Sequence, residues 1–173
     1  METRKLILFI EKHALYSLLL LFFYVMQEIP SFTLLGVRAS PVIGLFVAIA
    51  MLENEFVGAL YALAAGILCD TAAAYTFGIA SLLFIVMGCA AGLIVMYFVN
   101  SCPRTAFFIT LVEAGIYNLL SYYILYGVWG YEGSVRLILP RVLPSTMLTA
   151  LWGLVLFFLV RLIRDKFVAL AED

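Results

Sequence analysis

Glu113 is the residue in this sequence whose chemistry most needs an explanation. It lies near the middle of a long apolar stretch. If that stretch crosses a membrane, an ionised carboxylate there costs several kcal/mol, so Glu113 must face protein, accept a hydrogen bond or carry a proton. The stretch contains no second acid, histidine or lysine that would complete a proton relay. A structural or partner-binding role for Glu113 is therefore favoured, and a small proton-coupled carrier is the alternative.

Asp70 ends a second apolar stretch and precedes Thr71 and three alanines. In one interpretation its carboxylate caps backbone N–H groups of the following turn, as aspartate often does at a helix start. In the other it pairs with a cation, either from a partner protein or from this chain. The candidate cations in the chain are Arg38, Arg136 and Arg141.

The remaining reactive residues form no pattern typical of catalysis. His13 is the only histidine, and the three cysteines, Cys69, Cys89 and Cys102, contain no CxxC pair. Such scattered cysteines are typical of small apolar packing residues. No HExxH motif, Walker loop or nucleophile–base pair is present. The sequence therefore predicts a protein that is not an enzyme and that binds no metal or cofactor.

The composition is that of a membrane protein. Of 173 residues, 66% are hydrophobic and 12% are charged, whereas soluble domains are about half apolar and about a quarter charged. A net charge of −1 without a long basic run excludes a surface for nucleic acid. The predicted fold class is all-α, a polytopic helical membrane protein with one domain over residues 1–173.

Six membrane spans fit into this length if their connections are short, because a bilayer core takes about 20 apolar residues per helix. The predicted spans are residues 6–26, 41–52, 56–69, 77–99, 106–126 and 142–163, and residues 127–141 form the longest loop. The first span is a retained helix, because Pro30 and polar residues rather than small residues follow it. The second and third spans are short. They predict a helical hairpin that is shielded by other helices or that crosses a thin part of the bilayer.

Positive charges predict the orientation, because lysine and arginine are more frequent in cytoplasmic connections. With the N-terminus inside, the cytoplasmic set is Arg4, Lys5, Lys12, Arg104, Arg161, Arg164 and Lys166, and the outer set is Arg38, Arg136 and Arg141. Both termini are therefore predicted to be cytoplasmic. Aromatic rings prefer the headgroup layer, and a group of them near the outer end of the fifth span agrees: Tyr122, Tyr123, Tyr126, Trp129 and Tyr131.

Small residues recur at steps of four on two neighbouring spans. They are Gly58, Ala62 and Gly66 on the third span, with Asp70 on the same face, and Gly88 and Gly92 on the fourth. Helices in lipid associate through close packing, which small residues permit. These two spans are therefore predicted to form the close-packed centre. Three uses of the small-residue faces stay open: packing within the chain, a docking groove for a helix of another protein, and a homodimer.

Several short motifs follow one another along the chain. They are Ser40-Pro41-Val42-Ile43-Gly44 through Glu53, then Gly58, Gly66-Ile67-Leu68-Cys69-Asp70, Phe77-Gly78, Gly88, and finally Leu143-Pro144-Ser145-Thr146-Met147-Leu148 through Arg161 and Arg164. In order and spacing they resemble the bacterial rod-shape-determining MreD family over essentially the whole chain. The final segment resembles that family's last span, which opens with a proline, here Pro144. Val42 departs from the family pattern, in which an aspartate commonly follows the first proline.

The resemblance implies a non-enzymatic subunit of the cell-elongation machinery in the bacterial cytoplasmic membrane. Such a subunit binds the bitopic protein MreC and, with it, connects cytoplasmic MreB filaments to the RodA glycosyltransferase and its partner transpeptidase. On this basis the transmembrane helix and juxtamembrane segment of MreC are expected in a groove next to the third and fourth spans. Bulky replacements at Gly66 or Gly92 should then abolish co-purification of MreC while the fold stays inserted.

A second membrane class remains as an alternative, the substrate-binding subunit of an energy-coupling-factor vitamin transporter. MreD proteins are similar to these subunits in architecture, so the fold is expected to resemble theirs. Such subunits usually dock through a face of small residues on the first helix. In this chain the corresponding residues 15–23 are bulky, which disfavours the transporter subunit.

Overall fold

A computed structural model describes residues 2–29, 33–34, 37–72, 78–124 and 134–172. Its helices are α1 (Glu2–Glu28), α2 (Pro41–Leu52), α3 (Glu55–Ala72), α4 (Ile79–Tyr97), α5 (Pro103–Tyr122) and α6 (Ser134–Glu172). The all-α prediction is confirmed, and among the described residues every helix except α2 is long and apolar enough to cross a membrane. Two short antiparallel strands, β1 (Thr33–Leu34) and β2 (Val37–Arg38), precede α2 in a segment where no strand was predicted.

The short helix α2 forms the centre of the bundle. All of its residues are buried, as expected for a helix that is hydrophobic on every side. Its 12 residues extend over only about 18 Å, less than the roughly 30 Å of a hydrocarbon core. The surrounding helices shield it, which corresponds to the first of the two alternatives for a short span.

The centre was predicted at the third and fourth spans, and the structure places α2 there instead. Most residues of α3 and α4 are half-buried or exposed, although the two helices pack closely against each other. The prediction of a short third span is also wrong, because α3 contains 18 residues. Spacing of small residues predicts which helices approach closely, but it does not predict which helix is surrounded on all sides.

Helix α6 is much longer than predicted. It begins at Ser134, so the predicted loop of residues 127–141 is wrong from residue 134 onward. Pro140 and Pro144 lie inside the helix, and Pro144 therefore does not open the span. An unpaired backbone group is costly in hydrocarbon, so a membrane helix continues through a proline where a soluble helix would end. Phe77, Tyr126, Trp129 and Tyr131 lie outside the described residues.

Contacts between distant residues give the directions of the first three helices. Glu53, which follows α2, lies 2.7 Å from Lys12 near the start of α1. Arg38, which precedes α2, lies 3.0 Å from Glu28 at the end of α1. Helix α2 is therefore antiparallel to α1. A tight turn at Glu53 and Asn54 then returns the chain along α3.

The remaining helices continue this alternation. Helix α4 is antiparallel to α3, because Ser81 lies beside Gly66 and Gly92 lies beside Glu55. Helix α6 is parallel to α2, because Ser40 lies beside Thr149 and Gly44 lies beside Gly153. It is antiparallel to α5, because Asn118 lies beside Ser145 and Thr110 lies beside Gly153. The start of α1 and the end of α6 therefore lie at the same end of the bundle, which we call the terminal end.

Candidate functional site

A seam of glycines joins α3 to α4. A Cβ atom at Gly66 would lie 2.8 Å from the backbone nitrogen of Ser81, and one at Gly92 would lie 2.8 Å from that of Glu55. A Cβ at Gly88 would lie 2.9 Å from the carbonyl oxygen of Gly58 and would overlap Ala62. These positions allow backbone-to-backbone approach that any side chain would prevent.

The small residues of the seam pack against helices of the same molecule. Gly66 and Gly92 face a neighbouring helix of the same molecule, so neither lines a free groove for another protein. Gly58 belongs to the same packing, because a Cβ there would overlap the side chain of Ala50 in α2. The small-residue faces that suggested a possible homodimer are thus covered by other helices of the same chain.

A second glycine contact joins α2, α5 and α6, and the sequence-based reasoning missed it. A Cβ at Gly44 would lie 2.6 Å from the Cα of Gly153, and one at Gly153 would lie 2.6 Å from Oγ1 of Thr110. Gly44 belongs to the quoted proline-led motif, but its partner Gly153 occurs alone in an apolar helix. A single glycine without a recurring partner gave no signal of this crossing.

Asp70 is a helix cap that comes from a different helix. The carboxylate of this buried residue, in the last turns of α3, accepts hydrogen bonds from the backbone N–H groups of Ala80 (3.1 Å) and Ser81 (2.9 Å) in the first turn of α4. The Ser81 hydroxyl donates to the same carboxylate. Gly78 at the start of α4 has a φ of 96°, a conformation that glycine adopts without strain. Asp70 therefore fixes the start of α4 to the end of α3.

The alternative of an ion pair between Asp70 and Arg38 is wrong. The Arg38 guanidinium instead contacts the Glu28 carboxylate and donates to the carbonyl oxygen of Gln27 (3.2 Å). The side chains of Arg136 and Arg141 lie outside the described part of the molecule. Backbone N–H groups at a helix start offer Asp70 short, fixed donors, whereas pairing would require a long side chain to be held in one position.

Glu113 lies in the interior of the bundle. It is only 6% exposed, and its Oε2 atom has no hydrogen-bond partner among the described residues. Thr110, one turn earlier in α5, is fully buried, and its hydroxyl also lacks a partner in this part of the structure. The sequence required that Glu113 face protein, accept a hydrogen bond or carry a proton. The structure meets the first of these alternatives, since Glu113 faces protein.

We expect replacement of Glu113 with glutamine to change the free energy of unfolding by less than about 1 kcal/mol. A buried carboxyl without a cation is stable in hydrocarbon only when it is neutral, and an amide is neutral and of the same size. Unfolding in mixed detergent micelles, followed by circular dichroism, measures the change. Glu28→Gln at the exposed ion pair with Arg38 is the matched control. A loss above about 2 kcal/mol would contradict a neutral carboxyl without a partner.

A polar cluster at the terminal end was also missed by the sequence-based reasoning. Lys12 Nζ donates to Oε2 of Glu53 at 2.7 Å, and the Tyr16 hydroxyl donates to Oε1 at 2.9 Å. The Tyr61 hydroxyl donates to the carbonyl oxygen of His13 at 2.9 Å and lies 3.1 Å from its Nδ1. In the sequence Glu53 was singled out only as the end of the proline-led motif, because its partners are distant along the chain.

The three cysteines are free, and each is half-buried. Cys102 precedes α5, where its thiol lies 3.0 Å from the Thr105 hydroxyl, and this hydrogen bond lowers the pKa of the thiol. Across the described ranges, no three His, Cys, Asp or Glu residues are grouped so that they could hold a metal ion.

Fold and site together define a multi-pass helical membrane protein whose glycines and buried polar residues hold its own helices together. The sequence matches the family described as rod shape-determining protein MreD over residues 9–167. The chain therefore belongs to the MreD family, as its motifs suggested. No curated protein and no solved structure matches it, so the architectural likeness to transporter substrate-binding subunits stays a prediction.

Proposed function

We propose that this rod shape-determining membrane protein is a non-enzymatic subunit of the cell-elongation machinery that binds MreC. The family match over nearly the whole chain supports this role. Nearly all described residues belong to helices, so recognition must use helix surfaces and short connections. Through MreC, the subunit would act on MreB filaments and on RodA with its transpeptidase.

We also propose that the protein lies in the bacterial cytoplasmic membrane with both termini in the cytoplasm. The alternating helices bring the start of α1 and the end of α6 to one end of the bundle. That terminal end carries most of the basic residues, including Lys5, Lys12, Arg164 and Lys166. The excess of positive charge on cytoplasmic connections supports this orientation.

The outer side of α3 and α4 is the proposed docking surface for the MreC transmembrane helix. The glycines between these helices are covered, so the surface consists of the large apolar residues that point away from the bundle. On α4 they include Leu82, which is 70% exposed, and Val86, which is 66% exposed. Side chains of this kind pack against a second helix without any change in the glycine seam.

Val86→Trp is expected to reduce co-purification of MreC about fivefold or more, because an oversized side chain in a packed contact costs about 1–3 kcal/mol. The matched control is Val112→Trp on α5, which is 60% exposed and lies on another helix. Mild-detergent purification from native membranes, with quantitative mass spectrometry of MreC, measures both variants.

Equal MreC recovery with the two variants would contradict the docking surface. The same purification tests the function itself. Recovery of transporter ATPases or a bound vitamin, in place of MreC, would reverse the proposal in favour of a transporter subunit.

A further inference from the structure

Helices α1 and α6 enclose a pocket of about 180 Å³ at the terminal end of the bundle. It is lined by Lys5, Leu8, Phe9, Lys12, Phe167 and Val168, and we call it the α1–α6 pocket. Lys5 and Lys12 lie about two turns apart, on the same face of α1. The pocket therefore combines two ammonium groups with an apolar wall.

The charge of this pocket is positive. The Lys12 ammonium donates to Glu53, but a lysine has three N–H donors, so donors remain for another acceptor. The same ammonium lies 5.8 Å from the centre of the Phe9 ring. Lys5 is exposed and makes no ion pair within the described ranges. Of the two lysines that line the pocket, Lys12 is thus bonded to a carboxylate and Lys5 is not, which leaves positive charge for a ligand.

An apolar groove adjoins the pocket at Phe9. It lies between α1 and α3, has a volume of about 340 Å³ and is lined by Phe9, His13, Val57, Leu60, Tyr61 and Ala64. We call it the α1–α3 groove. Its volume falls within the roughly 300–1,000 Å³ of ligand sites. His13 also lines the groove, and its buried Nε2 has no hydrogen-bond partner among the described residues.

We propose that the pocket and the groove together bind one anionic phospholipid. The phosphate lies between Lys5 and Lys12, and one acyl chain follows Phe9 into the α1–α3 groove. Basic pockets between transmembrane helices near the membrane surface bind anionic headgroups. The two lysines select this occupant over a neutral lipid, and the apolar groove selects it over a soluble anion.

The full-length protein in detergent, titrated with phosphatidylglycerol or phosphatidylcholine of the same chains and analysed by native mass spectrometry, tests the site. We expect phosphatidylglycerol to bind more tightly. Lys5→Gln should weaken its binding about fivefold, as expected for one basic residue at a membrane surface. The matched control is Lys166→Gln, an exposed lysine at the same end that does not line the pocket. Equal binding of the two lipids, or equal effects of the two variants, would overturn the proposal.

Two further variants separate the parts of the site. Glu53→Gln removes the competing carboxylate, so it should tighten phosphatidylglycerol binding about fivefold. Ala64→Phe fills the groove and should weaken binding of long-chain phosphatidylglycerol, while circular dichroism stays unchanged. Displacement of the lipid by inorganic phosphate alone would assign the pocket to a soluble anion and would also overturn the proposal.

Discussion

Replacement of Gly66 with alanine is expected to lower the free energy of unfolding by about 3 kcal/mol, the upper part of the range for overpacked interiors. The added Cβ would lie 2.8 Å from the backbone nitrogen of Ser81, and a backbone atom cannot rotate away as a side chain can. Helices α3 and α4 would have to separate along the seam. This loss is large compared with the total stability of a domain, which is only about 5–15 kcal/mol. Unfolding by SDS in mixed micelles measures it.

Gly115→Ala is the matched control for this experiment. Gly115 is also a helical glycine in an apolar segment, but its nearest neighbour, Cγ2 of Thr146, would lie at an ordinary 3.6 Å from the new Cβ. We expect no loss of stability in this variant and a gain of up to about 1 kcal/mol, because alanine favours a helix interior over glycine. Similar losses in the two variants would show that the seam is looser than described.

The Gly66 variant also separates two roles of the seam. The sequence-based hypothesis was that Gly66 and Gly92 line a partner groove, so that their replacement would remove MreC from an intact fold. The structure predicts instead that the replacement first lowers the stability of the fold, and that MreC is lost as a consequence. Loss of MreC from a Gly66→Ala protein of wild-type stability would instead support the hypothesis that Gly66 lines a partner groove.

Asp70→Asn is expected to lower the free energy of unfolding by about 2–3 kcal/mol, because hydrogen bonds to a charged group are worth about 1.5–3 kcal/mol. The asparagine amide has only one acceptor oxygen, and its NH₂ group would face donors from the backbone and hydroxyl of Ser81. The start of α4 would lose part of its cap. Thermal unfolding in mild detergent, followed by circular dichroism, measures the loss.

Asp165→Asn provides the same chemical change at an exposed position. Asp165 lies 3.8 Å from Arg161 on the surface of α6, and both side chains are more than half exposed. Such pairs contribute about 0–1 kcal/mol, so no clear change is expected. If Asp70→Asn were as stable as Asp165→Asn, the cap would contribute nothing, and the Asp70 carboxylate would have another role.

The membrane class and the number of helices followed from the sequence alone. Hydrocarbon leaves unpaired backbone groups without water, so apolar stretches of span length must be helical. That signal is local, and composition and stretch length were enough to read it. Helix ends were less accurate, as at Ser134 and Pro144, because a proline inside a membrane helix resembles one that begins a helix.

The small residues and Asp70 were predicted only in part from the sequence. The regular spacing of Gly58, Ala62 and Gly66 indicated a close helix contact, because a repeat on one face is visible in the sequence. Capping by Asp70 was one of two interpretations that the sequence allowed. The structure decided between them, since Asp70 and the N–H groups that it caps are 10 and 11 residues apart in the chain, and their distance depends on how α3 and α4 meet.

Only the tertiary structure decided which faces meet in the interior. The burial of α2 on every side, the contact of Gly44 with Gly153, and the ion pair of Lys12 with Glu53 all join residues far apart in the chain. In a soluble protein the polar face of a helix indicates its outside, but in lipid both the core and the surface are apolar. Hydrophobic periodicity therefore carries little information about orientation here, and the fit of individual side chains against neighbouring backbones determines the arrangement.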